Sequence, residues 1–173
     1  MHSRRPRAAG ALALLALCLL AARARAQSIE RHAATPPGLI LQAVTVPAGA
    51  TTLYLSGQVA APLDPALRTP AAERTPADFG DTRTQTVSVL RKIQGILEAR
   101  GYTMRDVVKL TVFLVGDPTL GGQMDFAGMN EGFRQFFGSA ENPNTVARST
   151  IQVAALAAPG YLVEIEATAA RVP

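Results

Sequence analysis

The stretch from Arg148 to Thr168, RSTIQVAALAAPGYLVEIEAT, constrains the fold of this chain more than any other. It holds two short β-type runs, Arg148 to Ala154 and Tyr161 to Thr168. Between them, Ala155 to Gly160 carries a Pro-Gly turn signal. Side chains alternate faces along a strand. Ser149, Ile151 and Val153 therefore share one face of the first run, and Arg148, Thr150 and Gln152 share the other. In the second run Val163, Ile165 and Ala167 oppose Leu162, Glu164, Glu166 and Thr168. If the two runs pair, one face is apolar and the other presents a guanidinium and two carboxylates. Function is expected on that polar face.

The preceding residues supply the partners for such a sheet. Leu39 to Val46 and Thr52 to Val59 have β-type composition and flank Pro47-Ala48-Gly49-Ala50, which predicts a hairpin. Ala60 to Asp78, with prolines at 62, 65, 70 and 76, reads as a long loop. Asp81 to Arg100 reads as a helix capped by Asp81 and closed by Gly101, with Val89, Leu90, Ile93, Ile96 and Leu97 as its apolar stripe. Gly95 inside that helix suggests close packing on a sheet. Asp106 to Val115 is the clearest strand, with Val108, Leu110, Val112 and Leu114 opposite Val107, Lys109, Thr111 and Phe113.

Met124 to Phe137 reads as a second helix, and its phenylalanine stripe reads as core packing. The order ββαβαββ predicts an α+β domain: one sheet with both helices on a single face. The opposite sheet face is then half apolar and uncovered, and self-association is the simplest way to bury it.

Residues 1–26 have the pattern of an export signal. Arg4, Arg5 and Arg7 precede the apolar run Ala8 to Ala22, and Ala24-Arg25-Ala26 supplies a small-x-small cleavage site. The run is short for a membrane span, so a cleaved leader and a periplasmic or secreted product without membrane attachment are expected. Residues 27–38 then read as a flexible arm and residues 39–173 as the folded domain. Five of the 17 Lys and Arg residues lie in the leader, which leaves 12 against 13 acids. A near-neutral domain lacks the basic footprint of a nucleic-acid binder. Cys18, the sole cysteine, also lies in the leader. The mature chain thus has no thiol, and its one histidine, His32, lies in the arm. Neither a His-Cys metal cluster nor a histidine-dependent triad can be assembled from it.

Six fragments occur in order: LSGQ at 55–58, EARG at 98–101, DVVKLTVFL at 106–114, MNEGFRQFF at 129–137, ARS at 147–149 and VEIEA at 163–167. Together they resemble the Rid family of reactive-intermediate deaminases, also called the YjgF or L-PSP family. The resemblance implies a chorismate-mutase-like fold, a homotrimer with clefts between subunits, and no metal or organic cofactor. It also implies hydrolysis of enamine or imine forms of amino acids, such as 2-aminoacrylate, to 2-keto acids and ammonia. By position, Arg148 matches the arginine that grips the substrate carboxylate, and Glu164 the acid that directs water. Thr150, Gly57 and Asn130 match cleft positions. Ile40 stands where many members have a cleft tyrosine, and the 60–78 loop is longer than usual.

The residues suit that chemistry. A protonated imine is already electrophilic, so the protein need only hold it and direct water. The planar fork of arginine makes paired hydrogen bonds to a carboxylate, and an enclosed glutamate can exchange protons with water or the leaving amine. Two other readings stay open. Arg148 and Glu164 can be a cross-strand ion pair with no catalytic role, and the chain can be a carboxylate-binding trimer without turnover. Ribonuclease activity, a label attached to parts of the family, is disfavoured by the charge and the missing histidine pair. Glu166 reads as structural or interfacial.

Overall fold

A computed structural model describes residues 28–173, so the expected leader lies outside the described residues. Six strands form one sheet: β1 (Glu30–Ala33), β2 (Leu41–Thr45), β3 (Thr51–Val59), β4 (Val107–Val115), β5 (Ala147–Val153) and β6 (Val163–Arg171). Two α-helices among the described residues, α1 (Thr82–Glu98) and α2 (Phe126–Phe133), complete the α+β fold. The strand order is β1-β2-β5-β4-β6-β3. β4 sits between β5, which runs parallel to it, and β6, which runs antiparallel.

The expected class is present, with two corrections to the pairing. β5 and β6 are not a hairpin, because β4 lies between them. The connection that follows Val153 is long enough to step across two strand spacings, roughly 10 Å. Nor do β2 and β3 pair. They occupy different regions of the sheet, β2 beside β1 and β5, and β3 on the far edge against β6. The stretch read as a flexible arm contributes β1, which pairs antiparallel with β2. Arg31 fixes it by donating to the carbonyls of Thr145, Arg105 and Val107 at 2.8, 2.8 and 3.0 Å. A guanidinium has five donors in a fixed fork, so one side chain satisfies three carbonyls at once.

The core forms where the apolar stripes meet. Val89, Leu90, Ile93 and Leu97 of α1 pack with Leu110, Val112 and Leu114 of β4, and with Val163, Ile165 and Ala167 of β6. From the second helix and its extension come Met129, Phe133 and Phe137, the two rings stacked at 4.8 Å. Asp81 caps α1 by accepting from the Thr84 amide at 2.8 Å. α2 is shorter than the 124–137 expectation. Asp125 caps it at the Gly128 amide, and it unwinds after Phe133 into turns that reach Gly138 at φ +67°.

Gly95 does not serve close packing: a Cβ there would meet nothing within 4 Å. The glycine at the helix contact is Gly132, whose Cβ would lie 2.9 Å from Thr86 Cβ and Cγ2 and 3.1 Å from the Arg83 carbonyl. The 60–78 segment is held by two 3₁₀ turns and by bonds from the Leu63 amide to Asp78 O (2.9 Å) and the Ala61 amide to Ser88 Oγ (3.0 Å). Buried Gln85 links this layer to the last connection. It donates to Gly80 O and Gly160 O at 3.0 and 3.1 Å and accepts from the Leu162 amide at 2.9 Å.

Candidate functional site

The register decides which way each candidate side chain faces. Arg148 lies beside Leu110, and Thr150 beside Val112, both core residues of β4, so these two point toward the helices. Glu164 lies beside Phe113, and Glu166 beside Thr111, on the opposite, uncovered face. The expectation that Arg148 and Glu164 share a polar face is therefore corrected. Alternation holds within each strand, but β4 intervenes and the register puts the two sets on opposite sides. The expectation that Ser149, Ile151 and Val153 share an apolar face with Val163, Ile165 and Ala167 fails for the same reason: Ile151 is 46% exposed. No ion pair joins Arg148 to Glu164, which removes the cross-strand reading as well.

The five expected site residues thus form two groups. The first gathers on the helix side. Arg148 Nη2 donates to Asn130 Oδ1 at 2.7 Å, and the guanidinium carbon sits 4.5 Å from the centre of the Phe133 ring and 5.8 Å from that of Phe126. Nε and Nη1 of Arg148 and Oγ1 of Thr150 are buried without a hydrogen-bond partner. Among the described residues no carboxylate pairs with this guanidinium. Burial, and secondly the nearby Arg134, push its pKa down to about 10, so it remains charged at neutral pH. A half-buried cation with two unused donors costs stability, and an arriving carboxylate supplies what both donors lack.

The second group lies on the other face. The β3–β6 pairing shifts register between Leu55 and Gln58, so Ser56 and Gly57 form a bulge. A Cβ on Gly57 would overlap Glu164 Oε1 and lie 2.8 Å from its Cδ. The missing side chain is what lets the Glu164 carboxylate rest against the β3 backbone. Beyond it the uncovered face presents Tyr54 (78% exposed), Lys109, Thr111, Ile151 and Glu166. Lys109 Nζ donates to Ser149 Oγ at 2.8 Å there.

Two features of the arginine group escaped the sequence reading. Phe133 and Phe126 are its aromatic walls, and the spacing 126, 130, 133 on one helix face was the available signal. Phe126 is also 45% exposed, so the phenylalanine stripe is not all core. A hollow of about 580 Å³ opens beside the group, lined by Leu120, Met124, Phe126, Asn130 and Arg134 among others.

Residues 41–171 match the family model described as Endoribonuclease L-PSP. A RutC family protein of Pyrococcus horikoshii is 38% identical over 117 residues, 68% of this chain and 77% of that protein. A Salmonella typhimurium protein named 2-iminobutanoate/2-iminopropanoate deaminase is 36% identical over 116 residues, 67% of this chain and 77% of its own length. Among solved structures, a Rid family protein of Yersinia pestis superposes with a TM-score of 0.56 at 29% identity, covering 77% of this chain and 87% of that one. TdcF of E. coli, solved with bound serine, gives 0.52 at 31% identity, covering 83% and 97%.

Proposed function

The chain belongs to the Endoribonuclease L-PSP (Rid) family, and from that premise we propose that it hydrolyses reactive enamine or imine forms of amino acids to 2-keto acids and ammonia. The observation that carries this reading is the guanidinium of Arg148: charged, half-buried, steadied by Asn130 and two rings, and left with two unused donors. Such a group is prepared for a carboxylate. Thr150, with its hydroxyl also unused, adds a donor beside it.

Since Glu164 faces away from Arg148 within one chain, the complete site joins Arg148, Thr150 and Asn130 of one copy to Gly57 and Glu164 of another. A homotrimer with clefts between subunits satisfies this, and it also covers the half-apolar face carrying Tyr54 and Ile151. In that cleft Glu164 accepts a proton from water as the oxygen bonds to the imine carbon, and the C=N electron pair moves to nitrogen. Glu164 then returns that proton to the nitrogen, the C–N bond of the aminoalcohol breaks, C=O forms as the hydroxyl gives up its proton to Glu164, and the nitrogen leaves as ammonia. Acid–base help of this kind is worth roughly 10²–10⁴-fold, adequate for a labile substrate.

The second reading is a binding protein that holds small carboxylates without turnover, since Arg148 serves either role. The test is keto-acid release from an enzymatically generated imine. Purified protein is expected to accelerate release, and Arg148→Met to abolish the acceleration. Equal rates with and without the protein, beside measurable keto-acid binding, select the second reading. Export is proposed from the leader pattern alone, and a mature N-terminus at Gln27 in a periplasmic or secreted fraction is the expected result.

A further inference from the structure

Arg134 stands one helical turn, about 5.4 Å, beyond Asn130 at the end of α2. It lines the same hollow as Asn130 and Phe126, the residues that hold the Arg148 guanidinium. Among the described residues it has no ion-pair partner. The acids that share the hollow are engaged elsewhere: Asp125 accepts from the Gly128 amide at 2.8 Å, and Glu131 pairs with Arg83 at 3.6 Å. Arg134 therefore lines the hollow without a carboxylate partner among the described residues, and the Arg148 guanidinium sits behind Asn130 and Phe126, which form part of its wall.

We propose that this hollow is a second carboxylate subsite anchored by Arg134, so that the chain prefers four- and five-carbon 2-imino and 2-oxo dicarboxylates to their monocarboxylate counterparts. The inference rests on the reading of Arg148 as the grip for the first carboxylate. The two cations repel each other: Arg134 is the second cause, after burial, of the lowered Arg148 pKa. A monocarboxylate relieves one charge and leaves the other. A dicarboxylate neutralises both, and the apolar wall of Leu120, Met124 and Phe126 fits the carbons between its ends. The competing role for Arg134 is a cation placed at a helix C-terminus, where the dipole favours it. That role predicts an effect on stability and none on ligand choice.

The experiment compares enzymatically generated imines of aspartate and alanine as substrates, and 2-oxoglutarate and 2-oxobutanoate as calorimetric ligands, for wild type and Arg134→Gln. The expected wild-type preference for the dicarboxylate is about tenfold in kcat/KM and in Kd, equivalent to about 1.4 kcal/mol. Arg134→Gln is expected to bring both ratios to near one. A ratio near one in wild type, or a preference that survives Arg134→Gln, overturns the subsite. Dicarboxylate preference in binding, lost in the variant but with no turnover of either imine, supports the subsite and refutes hydrolysis. Binding of neither oxo acid refutes both.

Discussion

Replacing Arg148 by methionine is expected to stabilise the protein while removing its function. Methionine fills much of the same volume and leaves the rings of Phe126 and Phe133 covered. The change removes two unpartnered buried donors, each costing roughly 1–3 kcal/mol. Against that stand the loss of the cation–π contacts, roughly 0.5–2 kcal/mol, and of one charge-assisted bond to Asn130, roughly 1.5–3 kcal/mol. Burial of the thioether returns about 1 kcal/mol. The net is a gain of about 1 kcal/mol, or roughly 2–4 °C in Tm for a domain of this size.

The pH dependence has a definite sign. A base whose folded pKa lies below its unfolded one carries a stability cost while it is charged. That cost is present throughout the range below about pH 10 and is relieved as pH rises from there toward the ordinary arginine value. Near neutral pH it is fully expressed, so urea denaturation at pH 7 and fixed chain concentration is the proper assay, with keto-acid binding measured on the same samples. A loss of more than about 1 kcal/mol in the variant, or retained ligand binding, refutes the reasoning: Arg148 would then be a satisfied structural residue.

Four further variants have outcomes set by the packing. Gly57→Ala is expected to leave stability within about 1 kcal/mol, because the Glu164 carboxylate it meets sits at the end of a flexible side chain. The displaced carboxylate should lower kcat by about 10²-fold, read in the imine assay, with Tm as the control. In the helices, Gly95→Ala should stabilise by about 0.5–1 kcal/mol and Gly132→Ala destabilise by about 1–3 kcal/mol, both by urea denaturation. Gln85→Leu strands the Leu162 amide and the Gly160 carbonyl, and should cost about 2–4 kcal/mol by the same measurement.

The elements were legible in the sequence because their signals are local. β4 alternates, Asp81 caps α1, and the stripe at Val89, Leu90, Ile93 and Leu97 is buried as its spacing requires. Strand pairing was not legible. The residues between β5 and β6 look like a hairpin connection, and nothing in them announces that β4 will enter the gap. Parity along a strand says which residues share a face, but only the register against β4 says that Arg148 goes with Leu110 and Glu164 with Phe113. The family motifs point to the candidate site residues, while their division between two faces depends on that register. β1 was missed because ERHA has almost no apolar pattern. What fixes it is Arg31 reaching three distant carbonyls.

A site shared between copies can be tested by complementation. Arg148→Met and Glu164→Gln, each inactive alone, are mixed in equal amounts, dissociated and reassembled. With the arginine from one subunit and the glutamate from its neighbour, about a quarter of the random interfaces contain both groups, and about a quarter of wild-type imine hydrolysis should return. A mixture as inactive as its two components would contradict the shared site.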